Sequence, residues 1–285
     1  MARKTGTKEW SSHSVNCATG CRHGCLYCYA RWREVERFKR VKPGQWENEQ
    51  VRIKAVLARY GKKDGVVMFP TAHDITPAKG YPGTVDACVC VLIKLLEAGN
   101  QVLIVSKPHL DCITCLCVLL AKWKKQVEFR FSITTLDVSR AAFWEPGAPT
   151  PHERLAVLKY ARTHDWKTSV SCEPLLDVTV DEVCRLVDAC SAFANVDETI
   201  WIGCMNDIAQ RTAWYIEPRS VGEPMAIQVN RRCDLQREIN RLRDGYSVKN
   251  LRAIYERLTG NSLAYCPIRW KDSIQKALGL SGPTG

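Results

Sequence analysis

Short runs of β-branched and aromatic residues alternate with longer amphipathic runs along the chain up to about residue 204. The β-rich runs predict six strands, because such residues pack well on a pleated surface. They cover residues 11–16, 66–70, 101–107, 127–135, 167–175 and 199–204. Runs with helical spacing lie between them, so the order of elements predicts the α/β class.

The runs between the strands carry helix start and stop signals. Thr84 precedes a stretch with apolar residues on one helical face, and Gly99 follows that stretch. Residues 150–153 and 179–182 both have the Thr-x-x-Glu pattern of a capping box, and the first has proline at the first helical position. Helices joining parallel strands predict a partial (β/α)6 barrel of the TIM type, with functional groups at the carboxyl ends of the strands.

The alternation of strand and helix fades after residue 206, where the chain becomes rich in arginine. Residues 234–243 and 247–258 have helical patterns, and Gly245 and Gly260 provide stop signals. We therefore expect two parts: a barrel core over residues 1–206 and a mostly helical extension over residues 207–285.

No apolar run reaches the roughly 18 residues that a membrane span needs, and the N-terminal stretch MARKTGTKEW has no apolar segment after its charges. We expect a cytoplasmic protein without a membrane partner. The formal net charge of +11 favours contact with polyanions, although many basic enzymes bind no nucleic acid. None of these features indicates an oligomeric state.

Most of the fifteen cysteines stand singly in apolar stretches, which is typical of small buried thiols rather than of disulfides. Cys112, Cys115 and Cys117 crowd together, so a second cluster is conceivable. Their run is apolar and helix-like, however, and core packing is the favoured interpretation.

A loop after the first predicted strand holds four thiols within twelve residues, at Cys17, Cys21, Cys25 and Cys28. Thiolates bind iron-sulfur clusters or zinc, and structural zinc usually draws two close pairs from separate knuckles, which this run lacks. A zinc site and ordinary thiols remain as alternatives. Cys17 is assigned to the loop, with a ligand or redox role left open.

The spacing Cys21-x3-Cys25-x2-Cys28, with Tyr27 before the last cysteine, resembles the signature of the radical S-adenosylmethionine (SAM) superfamily. The resemblance implies a 4Fe-4S cluster on these three cysteines, with SAM at the remaining open iron. It further implies reductive cleavage of SAM to a 5′-deoxyadenosyl radical that abstracts hydrogen from a substrate. A flavodoxin- or ferredoxin-type electron donor is expected as a partner.

A second motif narrows the resemblance. Residues 145–155, EPGAPTPHERL, resemble a Glu-Pro-x-Ala-Pro-Ser-Pro-x-x-Arg-Leu stretch of spore photoproduct lyase-like radical SAM proteins, and the likeness extends over roughly residues 10–205. It implies that Thr71 and Asp74 contact the SAM ammonium and that Lys107 contacts its carboxylate. The SAM contacts implied in this way are Tyr27, Thr71, Asp74, Ser106, Lys107, Ser132 and Thr134. For Asp74 the alternative is a turn cap.

Three hypotheses concern the substrate. The first is a nucleic acid, because arginines that could meet phosphates and aromatic rings that could stack on bases concentrate near the C-terminus. These residues are Arg231, Arg232, Arg237, Arg241, Arg243, Arg252, Arg257, Trp214, Tyr215, Tyr246 and Tyr255. The alternative is a solvated helical face whose acids pair with the arginines.

The second hypothesis is a peptide, protein or small metabolite, because the fold alone does not set the substrate. The third is a non-catalytic iron-sulfur module that binds nucleic acid. The lyase's hydrogen-returning cysteine and tyrosines map onto no single residue of this chain. Cys172, Cys204 and Cys233 are candidates only if they face the barrel lumen.

Overall fold

Nine strands and eleven helices form the part of the chain that the computed structural model describes, which is residues 6–79, 83–192, 194, 198–217, 223–260 and 266–280. The strands are β1 (His13–Ser14), β2 (Ala18–Thr19), β3 (Gln50–Val51), β4 (Val66–Phe69), β5 (Gln101–Ser106), β6 (Val127–Ser132), β7 (Lys167–Cys172), β8 (Ile200–Ile202) and β9 (Ile268–Trp270). The helices are α1 (Tyr29–Arg31), α2 (Ile53–Leu57), α3 (Thr84–Glu97), α4 (Leu110–Leu119), α5 (Val138–Trp144), α6 (Pro151–Thr163), α7 (Val180–Ser191), α8 (Ile208–Thr212), α9 (Met225–Gly245), α10 (Val248–Gly260) and α11 (Asp272–Leu278). Shorter helical turns span Gly6–Glu9, Trp32–Arg37, Ala121–Gln126 and Ala213–Ile216.

Seven strands build one parallel sheet in the order β1-β4-β5-β6-β7-β8-β9, and β2 and β3 form a separate antiparallel ribbon. Side chains alternate across the sheet because successive residues of a strand point to opposite faces. In β6, Phe129 and Phe131 join the apolar core, which also includes buried residues of α3, α4, α6 and α7. Arg130 and Ser132 point to the other face, where the functional residues are expected. The α/β class is confirmed.

The sheet curls into a partial barrel. Trp10, just before β1, lies 6.0 Å from the ring of Trp201 on β8, and Lys271, just after β9, donates a 2.8 Å hydrogen bond to the carbonyl of Gly6. In a flat sheet, six strand spacings of about 4.8 Å would separate β1 from β9 by roughly 29 Å. The contacts between the two edges therefore require strong curvature.

All six predicted strands are present, although β6 and β7 end three residues earlier than the pattern indicates, at Ser132 and Cys172. The N-cap of α3 is Gly83 rather than Thr84, whose hydroxyl instead donates to Glu49 at 3.0 Å. The seventh strand, β9, was not predicted, because three residues after a proline are too few to show a strand period.

β9 lies beyond the expected boundary at residue 206, and that division of the chain stays a prediction. The C-terminal part is otherwise helical, and α10 packs on α7, α9 and α11. The longest helix of the described ranges, α9, has 21 residues. No helix in those ranges combines the length and the apolar character that crossing a membrane demands.

The capping boxes predicted for α6 and α7 are both present. In α7 the Glu182 carboxylate accepts hydrogen bonds from the backbone N–H groups of Val178 and Thr179, and Arg140 donates to it at 2.9 Å. Burial raises the pKa of Glu182, but these backbone donors and Arg140 outweigh it and lower the pKa to about 2. The carboxylate therefore stabilises the native chain most in its charged form.

Glu182→Gln is expected to destabilise the protein at pH 7 and to reduce the loss of stability on acidification. Because the native pKa of Glu182 lies below the ordinary value of 4.5, its contribution is complete above about pH 4.5 and fades as the pH falls towards about 2. Urea unfolding at pH 7 and pH 3 measures the change. Asp181→Asn, an exposed carboxylate in the same helical turn, is the control. Equal pH dependence in parent and Glu182→Gln would contradict the prediction.

Candidate active site

Residues 17–28, here called the cysteine loop, follow β1 and are fixed by backbone contacts to two distant segments. The N–H of Cys21 donates to the carbonyl of Trp46, and the N–H of Leu26 donates to that of Trp144, both at 2.9 Å. Gly20 has a positive φ of +89°, and a Cβ there would lie 2.5 Å from the carbonyl oxygen of Trp46. Only glycine fits this backbone comfortably.

The motif at 145–155, which begins directly after Trp144, also contacts the cysteine loop. Gly147 donates from its N–H to the carbonyl of His23 at 2.9 Å, and a Cβ on Gly147 would overlap the carbonyl oxygen of Arg22. Two stretches that resemble the same family at the sequence level are thus packed directly on each other.

The thiols of Cys21, Cys25 and Cys28 lie close enough to influence one another electrostatically. Burial raises the pKa of all three, to about 12 for Cys25. The pKa of Cys21 is raised further by the charges of Asp74, Cys25 and Cys28. Three charged thiolates in this loop would need a cationic partner to offset the cost of burial.

That requirement fits an iron-sulfur cluster, whose irons bind soft thiolates. Among the described residues, no three His, Cys, Asp or Glu side chains converge as ligands of one metal ion. A cubane does not need such convergence, because each of its protein thiolates binds a different iron. The donor set of Cys21, Cys25 and Cys28 therefore suits a cluster better than a single zinc ion.

Cys17 contacts residues outside the cysteine loop. It is fully buried, its Sγ is 3.6 Å from that of Cys88 on α3, and its N–H donates to Nε2 of His73 at 3.1 Å. The Cys88 thiol stabilises the thiolate and lowers the pKa of Cys17 to about 6, against the opposing effect of burial. Cys17 therefore packs against α3.

Asp74 is at the centre of one group of predicted site residues. Ser106 donates its hydroxyl to this carboxylate, Lys107 donates its backbone N–H at 2.9 Å, and Nδ1 of His23 lies 3.2 Å away. Burial raises the pKa of Asp74, but His23 outweighs it, with help from Lys107 and Ser106, and the pKa falls well below its usual range. Asp74 also accepts the N–H of Ile75 at 2.8 Å, which is a local contact of the kind that the turn-cap alternative predicts.

Glu145 is at the centre of a second group. Its buried carboxylate accepts hydrogen bonds from Tyr27 and from Thr134, the latter at 3.0 Å. Arg154 pairs with it at 2.5 Å, and the Nζ of Lys107 lies 3.9 Å away. Burial raises the pKa of Glu145, but Arg154 and Lys107 outweigh burial and lower it.

Lys107 connects the two groups, because its backbone contacts Asp74 while its ammonium faces Glu145 and lies 5.5 Å from the ring centre of Tyr27. Its positive charge also opposes the effect of burial on the pKa of Cys25, although that pKa stays raised overall. The structure thus brings Tyr27, Asp74, Ser106, Lys107 and Thr134 together beside the cysteine loop.

The other two predicted residues, Thr71 and Ser132, lie at the carboxyl ends of β4 and β6. The hydroxyl of Thr71, after β4, accepts from Asn16 at 2.8 Å. Ser132 ends β6, and its carbonyl accepts from Arg154 at 3.3 Å.

Sequence reasoning missed four residues of this site: His23, His109, Glu145 and Arg154. Nε2 of His23 lies 2.9 Å from Nε2 of His109, which precedes α4, so a chain of polar contacts leads from Asp74 towards the surface. The available signal for Glu145 and Arg154 was that these two residues of opposite charge both lie in the 145–155 motif.

The four rings named for a stacking surface near the C-terminus each contact another part of the protein. Trp214 donates to the carbonyl of Leu26, and Tyr246 donates to that of Leu175. Tyr215 packs on Phe143, and Tyr255 packs on Trp270. Each ring is also partly exposed, so a stacking role for these residues stays a prediction.

Several of the arginines named with those rings also have acidic partners. Arg231 is buried against Glu223, and Arg237 pairs with Asp234 at 3.0 Å. Arg241 pairs with Glu238 at 2.8 Å. The alternative of arginines paired with neighbouring acids therefore describes this part of α9.

Most of the other cysteines, but not all, follow the core-packing interpretation. Cys112 and Cys117 belong to the apolar core, whereas Cys115 is exposed on the same helix. Of the candidate hydrogen donors, Cys172 is packed in the core and Cys233 is exposed. Cys204 lies near Glu173, whose carboxylate also contacts Lys271 at 3.5 Å.

The comparisons with known proteins agree with this architecture. No protein-family model matches the chain. An uncharacterised protein of Acidianus two-tailed virus, ORF301, is 30% identical over 173 residues, which cover 57% of this chain and 55% of the viral protein. The chain thus matches little more than half of that relative's length.

Among solved structures, spore photoproduct lyase complexed with dinucleoside spore photoproduct is 19% identical, with a TM-score of 0.52 over 76% of this chain and 65% of the lyase. A lyase mutant with bound AdoMet and dinucleoside spore photoproduct is 18% identical, with a TM-score of 0.50 over 77% of this chain and 66% of the lyase. The match leaves about a third of the lyase uncovered. The curled parallel sheet and these matches show that the chain has the spore photoproduct lyase-like fold of radical SAM proteins.

Proposed function

We propose that this protein is a radical SAM enzyme in which Cys21, Cys25 and Cys28 hold a 4Fe-4S cluster. The observation that carries the proposal is the arrangement of three mutually interacting thiols beside Lys107, Asp74 and Glu145 in this fold. When bound, the cluster would supply the electron that cleaves SAM to a 5′-deoxyadenosyl radical, which takes hydrogen from the substrate.

The residues of the chain would bind and orient SAM. Lys107 offers an ammonium for the SAM carboxylate, and Glu145 limits where that ammonium can lie. Asp74 offers a carboxylate for the SAM ammonium, and the Ser106 hydroxyl fixes the orientation of that carboxylate. Thr71, Ser132 and Thr134 are proposed as further contacts at the strand ends, with Tyr27 packed beside them.

As substrate we propose a nucleic acid, acted on by lyase-type radical chemistry. The support is the net charge of +11 and the dinucleoside spore photoproduct in the structures of the neighbouring lyase. The C-terminal arginines support a nucleic-acid substrate less than their number suggests. Arg231 and Arg241 donate hydrogen bonds to backbone carbonyls within the protein.

All fifteen cysteines are free, which supports a reducing compartment, and we propose the cytoplasm. A flavodoxin- or ferredoxin-type protein is the proposed electron donor. Residues 1–206 are proposed as the radical SAM core, with residues 207–285 as an extension that adds the last strand of the sheet.

The test is SAM cleavage. The protein is reconstituted anaerobically with iron and sulfide, reduced with dithionite and mixed with SAM, and 5′-deoxyadenosine is quantified by chromatography. We expect 5′-deoxyadenosine above the level of a reaction without reductant. No product from a protein with a loaded, reducible cluster and measurable SAM binding would contradict the enzyme proposal and favour a non-catalytic cluster.

A further inference from the structure

A groove of about 450 Å³ opens between the β2–β3 ribbon and residues 40–48. Its charged lining consists of the side chains of Arg40 and Lys42, and the remaining described residues of the lining are uncharged. Gln45 and Asn48 add amide groups that can donate hydrogen bonds. The groove therefore favours an anionic partner.

The groove lies directly outside the cysteine loop. Gly20 lines it, and the next residue is Cys21, a proposed cluster ligand. The hydrogen bond from the N–H of Cys21 to the carbonyl of Trp46 joins that ligand to the segment on the other side of the groove. A molecule seated in the groove would thus be separated from the proposed cluster by little more than one loop of backbone.

The surroundings of the groove extend its positive charge. Arg37 and Lys39 are exposed, and Phe38, which is 44% exposed, lies between them. Of the nearby carboxylates, Glu36 pairs with Arg31 at 2.9 Å. Glu34 pairs with Arg40 of the groove at 3.4 Å and offsets part of its charge, which leaves Lys42, Arg37 and Lys39 as the main source of positive charge. Glu49 is also engaged: it is almost fully buried and accepts from Arg22, Thr76 and Thr84.

The groove is distinct from the residues proposed to bind SAM. None of its lining residues belongs to the groups around Asp74 and Glu145. An occupant would leave the strand ends open to SAM and to a substrate. This placement suits a partner that supplies electrons to the cluster rather than a substrate of the radical reaction.

We propose that this groove docks the acidic face of a flavin-containing electron-transfer protein of the flavodoxin type. The inference rests on the proposed radical SAM function and adds to it the surface through which the cluster is reduced. One electron would pass from the anionic flavin hydroquinone to the oxidised cluster. The flavin becomes the neutral semiquinone, so no proton is transferred and no covalent bond forms or breaks.

The first test measures binding. A purified acidic flavodoxin, in its oxidised form, is titrated by calorimetry into the reconstituted parent, Arg40→Glu/Lys42→Glu, and the control Lys122→Glu/Lys125→Glu in the Ala121–Gln126 turn. The control removes the same charge from exposed positions in the turn that precedes β6. We expect the groove variant to raise the Kd about tenfold and to weaken its dependence on salt, while the control stays near the parent.

The second test measures electron delivery. SAM cleavage is driven in parallel by dithionite and by flavodoxin with its NADPH-dependent reductase. The groove variant is expected to keep the dithionite-driven rate and to lose about tenfold of the flavodoxin-driven rate at subsaturating flavodoxin. Equal loss in groove and control variants, or no binding by the parent, would overturn the proposal.

Two further outcomes separate the alternatives. If the groove variant loses affinity for a single-stranded oligonucleotide but keeps its affinity for flavodoxin, the groove serves nucleic acid and the docking proposal fails. If dithionite yields no 5′-deoxyadenosine in the parent, the proposed function fails by itself. The calorimetric comparison still decides whether the groove is a docking surface, because it does not depend on turnover.

Discussion

Alanine at any one of Cys21, Cys25 and Cys28 is expected to abolish SAM cleavage and to remove most of the bound iron. Each thiolate is proposed to bind a different iron, so no neighbouring residue can replace a missing one. The thiols are also closely coupled, since the pKa of Cys21 responds to both Cys25 and Cys28. Iron and sulfide content, the absorption of the cluster and 5′-deoxyadenosine formation are measured on anaerobically reconstituted protein.

The other cysteines of the chain provide matched controls. Cys90→Ala removes an exposed thiol of α3 and is expected to keep full iron content and activity. Cys17→Ala is the stricter control, because this thiol lies in the same loop but packs against Cys88. Loss of iron in Cys17→Ala equal to that in Cys25→Ala would show that Cys17 is a ligand and that the assignment of three ligands is wrong.

Glu145→Gln is expected to destabilise the protein by about 3–5 kcal/mol, because it leaves the buried guanidinium of Arg154 without its counter-charge. The change also removes a charged partner of Lys107 and weakens the acceptor of Tyr27 and Thr134. For a chain of this size, the midpoint of thermal unfolding should fall by roughly 10 °C. The measurement is thermal unfolding of the reconstituted protein, followed by tryptophan fluorescence.

Asp234→Asn is the control for Glu145→Gln. It breaks an ion pair with Arg237 in which both side chains are more than half exposed, so we expect a change within about 0.5 kcal/mol. If Glu145→Gln shifts the midpoint no more than this control, Glu145 does not support the site in the way the geometry indicates.

Local sequence patterns predicted the parts of this protein that depend on local interactions. Six strands follow from runs of β-forming residues, and the capping boxes of α6 and α7 follow from residues three apart. The three proposed cluster ligands also lie within eight consecutive residues, and their spacing carries the family resemblance that implies the chemistry.

Contacts between distant segments were not predictable in the same way. Tyr27 and Glu145 are 118 positions apart, and nothing in either local stretch indicates that they meet. Arg231 was interpreted as a surface cation, but it lies on the buried side of α9 against Glu223. A pattern of charges along a helix does not show which face the rest of the fold will cover.

The position of β9 has a consequence for how the chain acquires its structure. β8 has its outer backbone groups paired only when residues 268–270 arrive, and the contact from Lys271 to Gly6 joins positions 265 apart in sequence. During synthesis, a nascent chain that has released β8 therefore carries an open strand edge, which is a surface prone to pairing with other chains. Completion of the sheet is a late and long-range event, and we expect slow folding and a need for protection until the last strand is in place.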